Sequence, residues 1–230
     1  MIEELLPASV VAVAAHRDDP LWDDAPLYPE EEALVARAVP KRRREFAAVR
    51  GCARRAMEKL GVPPQPVVSG VRGAPRWPAG LVGSMTHCDG YCAAALVRAS
   101  DLASLGIDAE PHGPLPEGVG PSVFLPAETE RLTRLAGQWP TVHWDRILFS
   151  AKESVYKAWF PLTGRWLDFA EADITLHAGH LAAGGAPRGT LRAELLVPGP
   201  EVGGRRLQAF DGRWGVRDGV VTTAVVVPYL

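Results

Sequence analysis

The order of predicted helices and strands repeats once along the chain, with the division near residue 105. Before it, a buried strand at 9–15 precedes two helices. The second of these runs from Pro40, which suits a first helical position, to Gly61, a typical residue after a helix end. After the division, a long helix is predicted over 141–160. β-branched runs bounded by Gly and Pro predict the remaining strands, at 81–86, 91–98, 102–109, 172–178, 189–197, 205–217 and 220–228. This pattern predicts an α+β fold.

Composition excludes several classes of protein for this chain of 230 residues. Hydrophobic residues make up 47% and charged residues 23%, as in ordinary globular proteins, and the net charge of −2 gives no support for nucleic-acid binding. The three cysteines have neither a disulfide framework nor the usual spacing of a zinc site. Glu3 and Glu4 stand where a signal peptide carries positive charge, and no apolar run reaches the roughly 20 residues of a membrane helix. We therefore expect a cytoplasmic protein with no membrane partner.

Two short motifs carry the chemistry. Residues 105–110 read Leu-Gly-Ile-Asp-Ala-Glu, and on a strand this spacing turns Asp108 and Glu110 to the same side. Residues 149–159 read Phe-Ser-Ala-Lys-Glu-Ser-Val-Tyr-Lys-Ala-Trp, and on a helix Glu153 and Lys157 lie one turn apart on one face. Taken alone, that second pair is an ordinary helix pair. Three carboxylates beside an ammonium group suit a complex of Mg²⁺ with a diphosphate.

The ordered pair of motifs, Gly-Ile-Asp-x-Glu and then Phe-Ser-x-Lys-Glu-Ser-x-x-Lys-Ala, resembles the 4′-phosphopantetheinyl transferases of the long, surfactin-synthetase-activating type. The resemblance implies a pseudo-dimer of two similar α+β halves, each a helix packed on an antiparallel sheet, with the active site in the cleft between them. Residues 1–104 would then bind the nucleotide of coenzyme A (CoA), and residues 105–230 would supply the metal ligands and the catalytic helix. A chain with both halves is expected to act as a monomer.

The resemblance also implies which residues bind CoA. Arg42 and Arg50 match the basic positions expected for the 3′-phosphate, and Arg43 is a reserve because it lies nearly on one helix face with Arg50. Arg72 belongs to a loop at 71–75 that is expected along the nucleotide, although Ala74 replaces the usual lysine there, and Ser69 and Gly70 are also expected to line the nucleotide. Further on, two adjacent residues at a strand end are expected to donate hydrogen bonds to phosphate oxygens, with a charged imidazole adding attraction: Thr86 and His87. The other cations of the first long helix, Arg54, Arg55 and Lys59, are expected on the surface.

For the metal, the resemblance implies Mg²⁺, with Mn²⁺ as the alternative, held by Asp108, Glu110 and Glu153. Lys152 and Lys157 would lie beside the diphosphate. Glu153 is the first candidate for the base that activates a serine hydroxyl, with Lys152 as the alternative, and Lys157 would stabilise the leaving phosphate. The wall of a pantetheine channel is expected at Tyr156 and at residues 165–167.

The implied reaction transfers 4′-phosphopantetheine from CoA to a serine of an apo acyl or peptidyl carrier protein and releases adenosine 3′,5′-bisphosphate. Two alternatives stay open from the residues. One is another Mg²⁺-dependent phosphoryl-transfer enzyme that hydrolyses nucleoside diphosphate derivatives without a protein acceptor. The other is a non-catalytic module that binds CoA or docks carriers, although pure binding does not require three metal ligands.

Overall fold

The computed structural model describes residues 1–179 and 186–229. The helices are α1 (Leu21–Asp24), α2 (Pro29–Val35), α3 (Pro40–Lys59), α4 (Gly120–Val123), α5 (Pro126–Gln138) and α6 (Trp144–Thr163). The strands are β1 (Val11–His16), β2 (Leu81–Cys88), β3 (Tyr91–Arg98), β4 (Ser104–Pro111), β5 (Ala172–Ala178), β6 (Arg188–Leu195), β7 (Glu201–Val202), β8 (Arg205–Arg206), β9 (Ala209–Arg217) and β10 (Val220–Val227). The predicted α+β class is confirmed.

The N-terminal part is a three-stranded antiparallel sheet in the order β1-β3-β2, with α3 packed on one face. The buried face of α3 consists largely of small residues, including Ala48, Cys52, Ala53 and Ala56. Small side chains let a helix lie close to a sheet, and the cluster excludes water between the two layers. Two of the three cysteines belong to this core: Cys52 and Cys92 are buried and unbridged.

The C-terminal part is a five-stranded antiparallel sheet in the order β4-β10-β9-β6-β5, and the 20-residue helix α6 packs on it. Its core contains three fully buried tryptophans, Trp144, Trp159 and Trp214. Helix α5 covers the edge strand β5. There Glu128 accepts a hydrogen bond from the Ile174 amide at 2.7 Å, and Arg131 donates one to the Ile174 carbonyl at 3.2 Å. This contact satisfies backbone groups at the edge of the sheet.

The two parts share a strand order, because β1-β3-β2 corresponds to β4-β10-β9 and each set carries one long helix. Strands β2 and β4 lie side by side at the junction, where side-chain hydroxyls join them. Ser84 Oγ accepts from the Ile107 amide and Thr86 Oγ1 accepts from the Ala109 amide, both at 3.0 Å. The boundary at 104/105 and the pseudo-dimer stay predictions.

The predicted surface position of Arg54, a residue of α3, is wrong. Arg54 is buried against Glu31. Across residues 1–179 and 186–229, no helix has both the length and the apolar character that crossing a membrane requires.

Candidate active site

A cavity of about 910 Å³ opens between the two parts of the molecule. Its walls come from α3, β2 and the loop 69–75 on one side, and from β4 and α6 on the other. Nine of the predicted site residues line it: Arg42, Arg50, Ser69, Arg72, Thr86, His87, Asp108, Glu153 and Lys157. Three predicted residues do not line it: Gly70, Glu110 and Lys152.

Gly106 allows the catalytic strand and helix to meet. A Cβ atom at this position would lie 2.0 Å from the Ser154 carbonyl oxygen and 2.7 Å from the Ala158 amide nitrogen, both in the backbone of α6. Real Cβ contacts are never this short, so only glycine permits the observed packing of α6 on β4. Nearby, Ser104 Oγ donates to the Ala158 carbonyl at 2.7 Å. This close approach places Lys157 beside Asp108.

Asp108 lies buried in the site and accepts hydrogen bonds on both carboxylate oxygens. Lys157 Nζ lies 2.8 Å from its Oδ1, Thr86 Oγ1 donates to the same oxygen at 3.2 Å, and Ser150 Oγ donates to Oδ2 at 2.8 Å. The single hydroxyl hydrogen of Thr86 therefore points to Asp108, although the sequence predicts a bond from Thr86 to phosphate. Lys157 also donates to the Ile107 carbonyl at 3.1 Å, so the ammonium is held at the strand.

Glu153 differs from Asp108 because it makes no hydrogen bond or ion pair within residues 1–179 and 186–229. Burial raises the pKa of Glu153, the charge of Asp108 raises it further, and Lys157 partly opposes this. A partly buried carboxylate with a raised pKa, facing a cavity, is suited to accept a proton.

Glu110 lies beside the cavity and pairs with Arg146, whose Nη1 is 3.0 Å from Glu110 Oε2. Burial and the charge of Asp108 nevertheless raise the pKa of Glu110. Two glutamates destabilised by the same aspartate indicate an excess of negative charge, which a divalent cation would relieve. In the part of the chain that the structure describes, no three His, Cys, Asp or Glu side chains are grouped closely enough to hold a metal. The three predicted ligands are therefore of the type that a divalent cation prefers. Their arrangement around a metal stays a prediction.

The nucleotide side of the cavity is cationic. Arg50 is buried with its guanidinium 3.1 Å from the centre of the Phe46 ring, and its Nε donates to the Val67 carbonyl at 3.0 Å. Burial lowers the pKa of Arg50 to about 10, which leaves it charged at neutral pH. Arg42 is half exposed and contacts His87. Arg43, the reserve candidate, instead pairs with Glu32 at 2.7 Å and does not line the cavity.

The loop 69–75 lines the cavity through Ser69 and residues 71–75. A backbone bridge between Ser69 and Pro75 closes it, and Arg72 at its tip has a φ of 55°. The Arg72 guanidinium lies 5.2 Å over the Trp166 ring, on the opposite side of the cleft. Gly70 serves the turn, since a Cβ there would lie 3.3 Å from the Ala74 carbonyl oxygen. Gly70 is not among the residues that line the cavity, so the structure does not support its predicted place along the nucleotide.

Comparison with known proteins shows the family to which the chain belongs. Residues 30–97 match a family model described as 4′-phosphopantetheinyl transferase N-terminal domain. Residues 104–190 match one described as 4′-phosphopantetheinyl transferase superfamily. The chain belongs to the 4′-phosphopantetheinyl transferase superfamily. The family resemblance carried by the two motifs is thereby confirmed.

Three relatives align with nearly the whole length of this transferase. The 4′-phosphopantetheinyl transferase Svp of Streptomyces mobaraensis is 57% identical over 99% of this chain and 89% of its own. The 4′-phosphopantetheinyl transferase Npt of Nocardia iowensis is 50% identical over 98% of this chain and 99% of its own. The 4′-phosphopantetheinyl transferase PptT of Mycobacterium tuberculosis is 46% identical over 99% of this chain and 98% of its own.

Lys152 does not occupy the place in the transferase that the sequence predicts. Its ammonium group is buried, 2.8 Å from Glu128 and 2.7 Å from both the Phe169 and the Ala172 carbonyl oxygens. These three contacts use its three hydrogens, and they anchor α6 to β5. The expectation that Lys152 faces the diphosphate, or acts as the alternative base, is corrected on these grounds.

His87 is uncharged in the free transferase at neutral pH, and the attraction of a charged imidazole for phosphate stays a prediction for the bound state. Burial lowers its pKa to about 4, and the neighbouring cations Arg42 and Lys157 contribute. A neutral imidazole can still donate one hydrogen bond to a phosphate oxygen. A bound phosphate would favour the charged form.

The lowered pKa of His87 predicts an acid-sensitive stability. As the pH falls from 6.5 toward about 4, the unfolded chain binds a proton at this residue and the folded chain does not, so the free energy of unfolding falls. His87→Gln removes this contribution, and the stability of wild type relative to the variant should therefore fall as the pH is lowered through this window. Urea titrations at several pH values measure it. The same replacement at the exposed His177 is the control, and a difference at His87 that is independent of pH would contradict the prediction.

Sequence reasoning missed several residues of the site. Ser150 is one, although its place in the second motif puts it on the same helix face as Ser154 and Lys157. Ser150 Oγ and Ser154 Oγ both contact Thr223 Oγ1, at 2.9 and 2.7 Å, and so connect α6 to β10. The helical spacing of the hydroxyl groups at 150 and 154 and the lysine at 157 was the available signal. Arg146 carried no comparable signal, because its partner Glu110 lies 36 residues away.

Proposed function

We infer that the protein transfers the 4′-phosphopantetheine group from CoA to a serine of apo carrier proteins and releases adenosine 3′,5′-bisphosphate. The observation that carries this inference is a single cavity that combines a cationic nucleotide side, Arg42 and Arg50, with the catalytic motif residues Asp108, Glu153 and Lys157. The relatives named 4′-phosphopantetheinyl transferase support the activity.

The charge distribution orients CoA in the cavity. The 3′-phosphate is assigned to Arg42 and Arg50, because guanidinium groups bind phosphate through paired hydrogen bonds. Ser69, Arg72 and His87 line the same cavity and are assigned to the nucleotide and the diphosphate. The diphosphate then lies at Lys157, the ammonium group that borders the cavity on α6.

The pantetheine arm is assigned to an adjoining apolar cavity of about 80 Å³. Glu153 and Tyr156 border both cavities, so an extended arm can pass from the reacting phosphorus into the smaller one. The wall of that smaller cavity includes Trp166, Leu167 and Phe169. This agrees with the expected role of Tyr156 and residues 165–167.

A divalent cation, Mg²⁺ or Mn²⁺, completes the site in this proposal. Asp108, Glu110 and Glu153 would hold it, together with oxygens of the diphosphate. Their carboxylates are the hard ligands that these ions prefer. Burial and the charge of Asp108 raise the pKa of both glutamates, so a bound cation would stabilise their charged forms. When bound, the cation neutralises charge on the diphosphate and orients it.

Three side chains have separate roles in the proposed reaction. Glu153 accepts the proton of the carrier serine hydroxyl, which makes its oxygen a nucleophile toward the phosphorus that carries pantetheine. The bond from that phosphorus to the bridging diphosphate oxygen breaks. Lys157 stabilises the charge that develops on the leaving phosphate. Asp108 keeps the Lys157 ammonium in place through the 2.8 Å contact.

We also propose that the protein acts as a cytoplasmic monomer, since both sides of the cavity come from one chain. Its partners in this proposal are CoA and acyl or peptidyl carrier proteins, with no role for nucleic acid or membrane. The net charge of −2 agrees with the absence of a nucleic-acid substrate.

Intact-mass spectrometry of an apo acyl carrier protein tests the proposed function. Incubation with this protein, CoA and Mg²⁺ should add one phosphopantetheine group, and EDTA or Asp108→Ala should abolish the addition. Cleavage of CoA in the absence of carrier would favour the hydrolase alternative. Binding of CoA without transfer to any of several apo carriers would favour the binding module.

A further inference from the structure

The inference concerns Glu31, a residue of α2 that no motif singles out. Its carboxylate is completely buried. Arg54 Nη1 lies 2.9 Å from Oε2 and 3.3 Å from Oε1, and the Val67 amide donates to Oε1 at 2.8 Å. A buried carboxylate with this set of donors is held in one position, because removing any of them leaves an unpaired charge.

Glu31 and Val67 together fix Arg50. The Val67 amide donates to Glu31, while the Val67 carbonyl accepts from Arg50 Nε at 3.0 Å. Glu31 Oε1 lies 3.9 Å from the same Nε. The carboxylate and one peptide group therefore hold the guanidinium from one side, and the Phe46 ring covers it. Val67 also begins the segment that leads into Ser69 and the loop 69–75.

Glu31 supplies a countercharge as well. Burial lowers the pKa of Arg50, the charge of Glu31 opposes this, and the nearby charges of Arg42 and Arg54 lower it further. Without Glu31, the two buried guanidinium groups would lack a compensating anion. Arg50 would then be expected to leave its present position.

We propose that Glu31 is a positioning residue for the 3′-phosphate of CoA: it holds Arg50 and the start of the loop 69–75 in the geometry that distinguishes CoA from dephospho-CoA. The proposal rests on the proposed function, in which Arg50 binds that phosphate. Glu31 itself lies behind Arg50 and does not line the cavity.

The C-terminal part contains a matched control. Glu128 holds the third position of α5, as Glu31 does in α2, and each helix begins with a proline. Glu128 is also buried, accepts a backbone hydrogen bond from Ile174 at 2.7 Å and lies 2.8 Å from a buried cation, Lys152. The two carboxylates thus have the same local structure, but Glu128 has no contact with Arg50.

The test compares Glu31→Gln with Glu128→Gln in the full-length protein. Dissociation constants for CoA and for dephospho-CoA, which lacks the 3′-phosphate, are measured by calorimetry, and KM and kcat are measured with an apo carrier. We expect Glu31→Gln to lower the preference for CoA over dephospho-CoA by about tenfold, the loss of one well-placed charged hydrogen bond. KM for CoA should rise more than kcat falls. Glu128→Gln should keep the wild-type preference.

Each outcome decides a separate point. An unchanged preference in folded Glu31→Gln would overturn the positioning role, as would an equal loss in Glu128→Gln. If Glu31→Gln does not fold, Glu31→Asp, which keeps the charge and withdraws the carboxylate by one methylene group, is measured instead, and a wild-type preference there would overturn the role. A wild-type protein without any preference for CoA would overturn the assignment of Arg50 and the inference with it, although transfer activity would still support the proposed function.

Discussion

Glu153→Gln is expected to lower kcat by about 10²- to 10⁴-fold, the usual contribution of a positioned general base. Glutamine has nearly the same shape but cannot accept the serine proton. KM for CoA should rise as well, because Glu153 is also assigned to the cation that holds the diphosphate. Steady-state kinetics with an apo carrier and CoA measure both quantities.

The stability of the Glu153→Gln variant provides an internal check. Burial and Asp108 raise the pKa of Glu153, so its charge is unfavourable in the folded protein at neutral pH. The variant should therefore be at least as stable as wild type, and its lost activity cannot come from unfolding. Glu130→Gln, which neutralises an exposed carboxylate on α5, is the activity control. Near wild-type kcat in Glu153→Gln would show that the base lies elsewhere.

Gly106→Ala is expected to lower the free energy of unfolding by about 3 kcal/mol or more, at the upper end of the cost of overpacking. The added methyl group would lie 2.0 Å from the Ser154 carbonyl oxygen, and helix backbone cannot move aside as a side chain can. Helix α6 must shift away from β4, which separates Lys157 from Asp108. Transfer activity should therefore fall together with stability.

Gly137→Ala is the matched control, because a Cβ at this exposed position in α5 meets no atom within 4 Å among the described residues. Alanine favours helix over glycine by up to about 1 kcal/mol, so this variant should be slightly more stable than wild type. Urea denaturation of the two variants separates the general effect of an added methyl group from the clash at the α6 backbone. Equal stabilities would contradict the required close contact.

The periodicity of the two motifs predicted the centre of the site correctly. Alternation along a strand and the 3.6-residue turn of a helix are enough to bring Asp108, Glu153 and Lys157 toward one region. The cavity confirms that Asp108, Glu153 and Lys157 border the same space. Their catalytic roles stay predictions.

The same helical geometry argues against the predicted position of Lys152 beside the diphosphate. Successive residues of a helix point about 100° apart, so a side chain adjacent to Glu153 leaves on a different face. The partner of Lys152 was not predictable, since Glu128 lies on another helix and its capping position gives no sign of a buried ion pair. Arg54 was misplaced for a similar reason: within a run of basic residues, one buried arginine looks like its exposed neighbours.

The hydroxyl junction between β2 and β4 has a consequence for the two parts as separate molecules. Severed from each other, they would present β2 and β4 as open edges, with the Ile107 and Ala109 amides no longer bonded to Ser84 and Thr86. Open strand edges recruit further strands from other chains, so each isolated part would tend to self-associate. In the intact chain, the covalent connection keeps β2 and β4 next to each other, so neither edge is free to pair with another molecule.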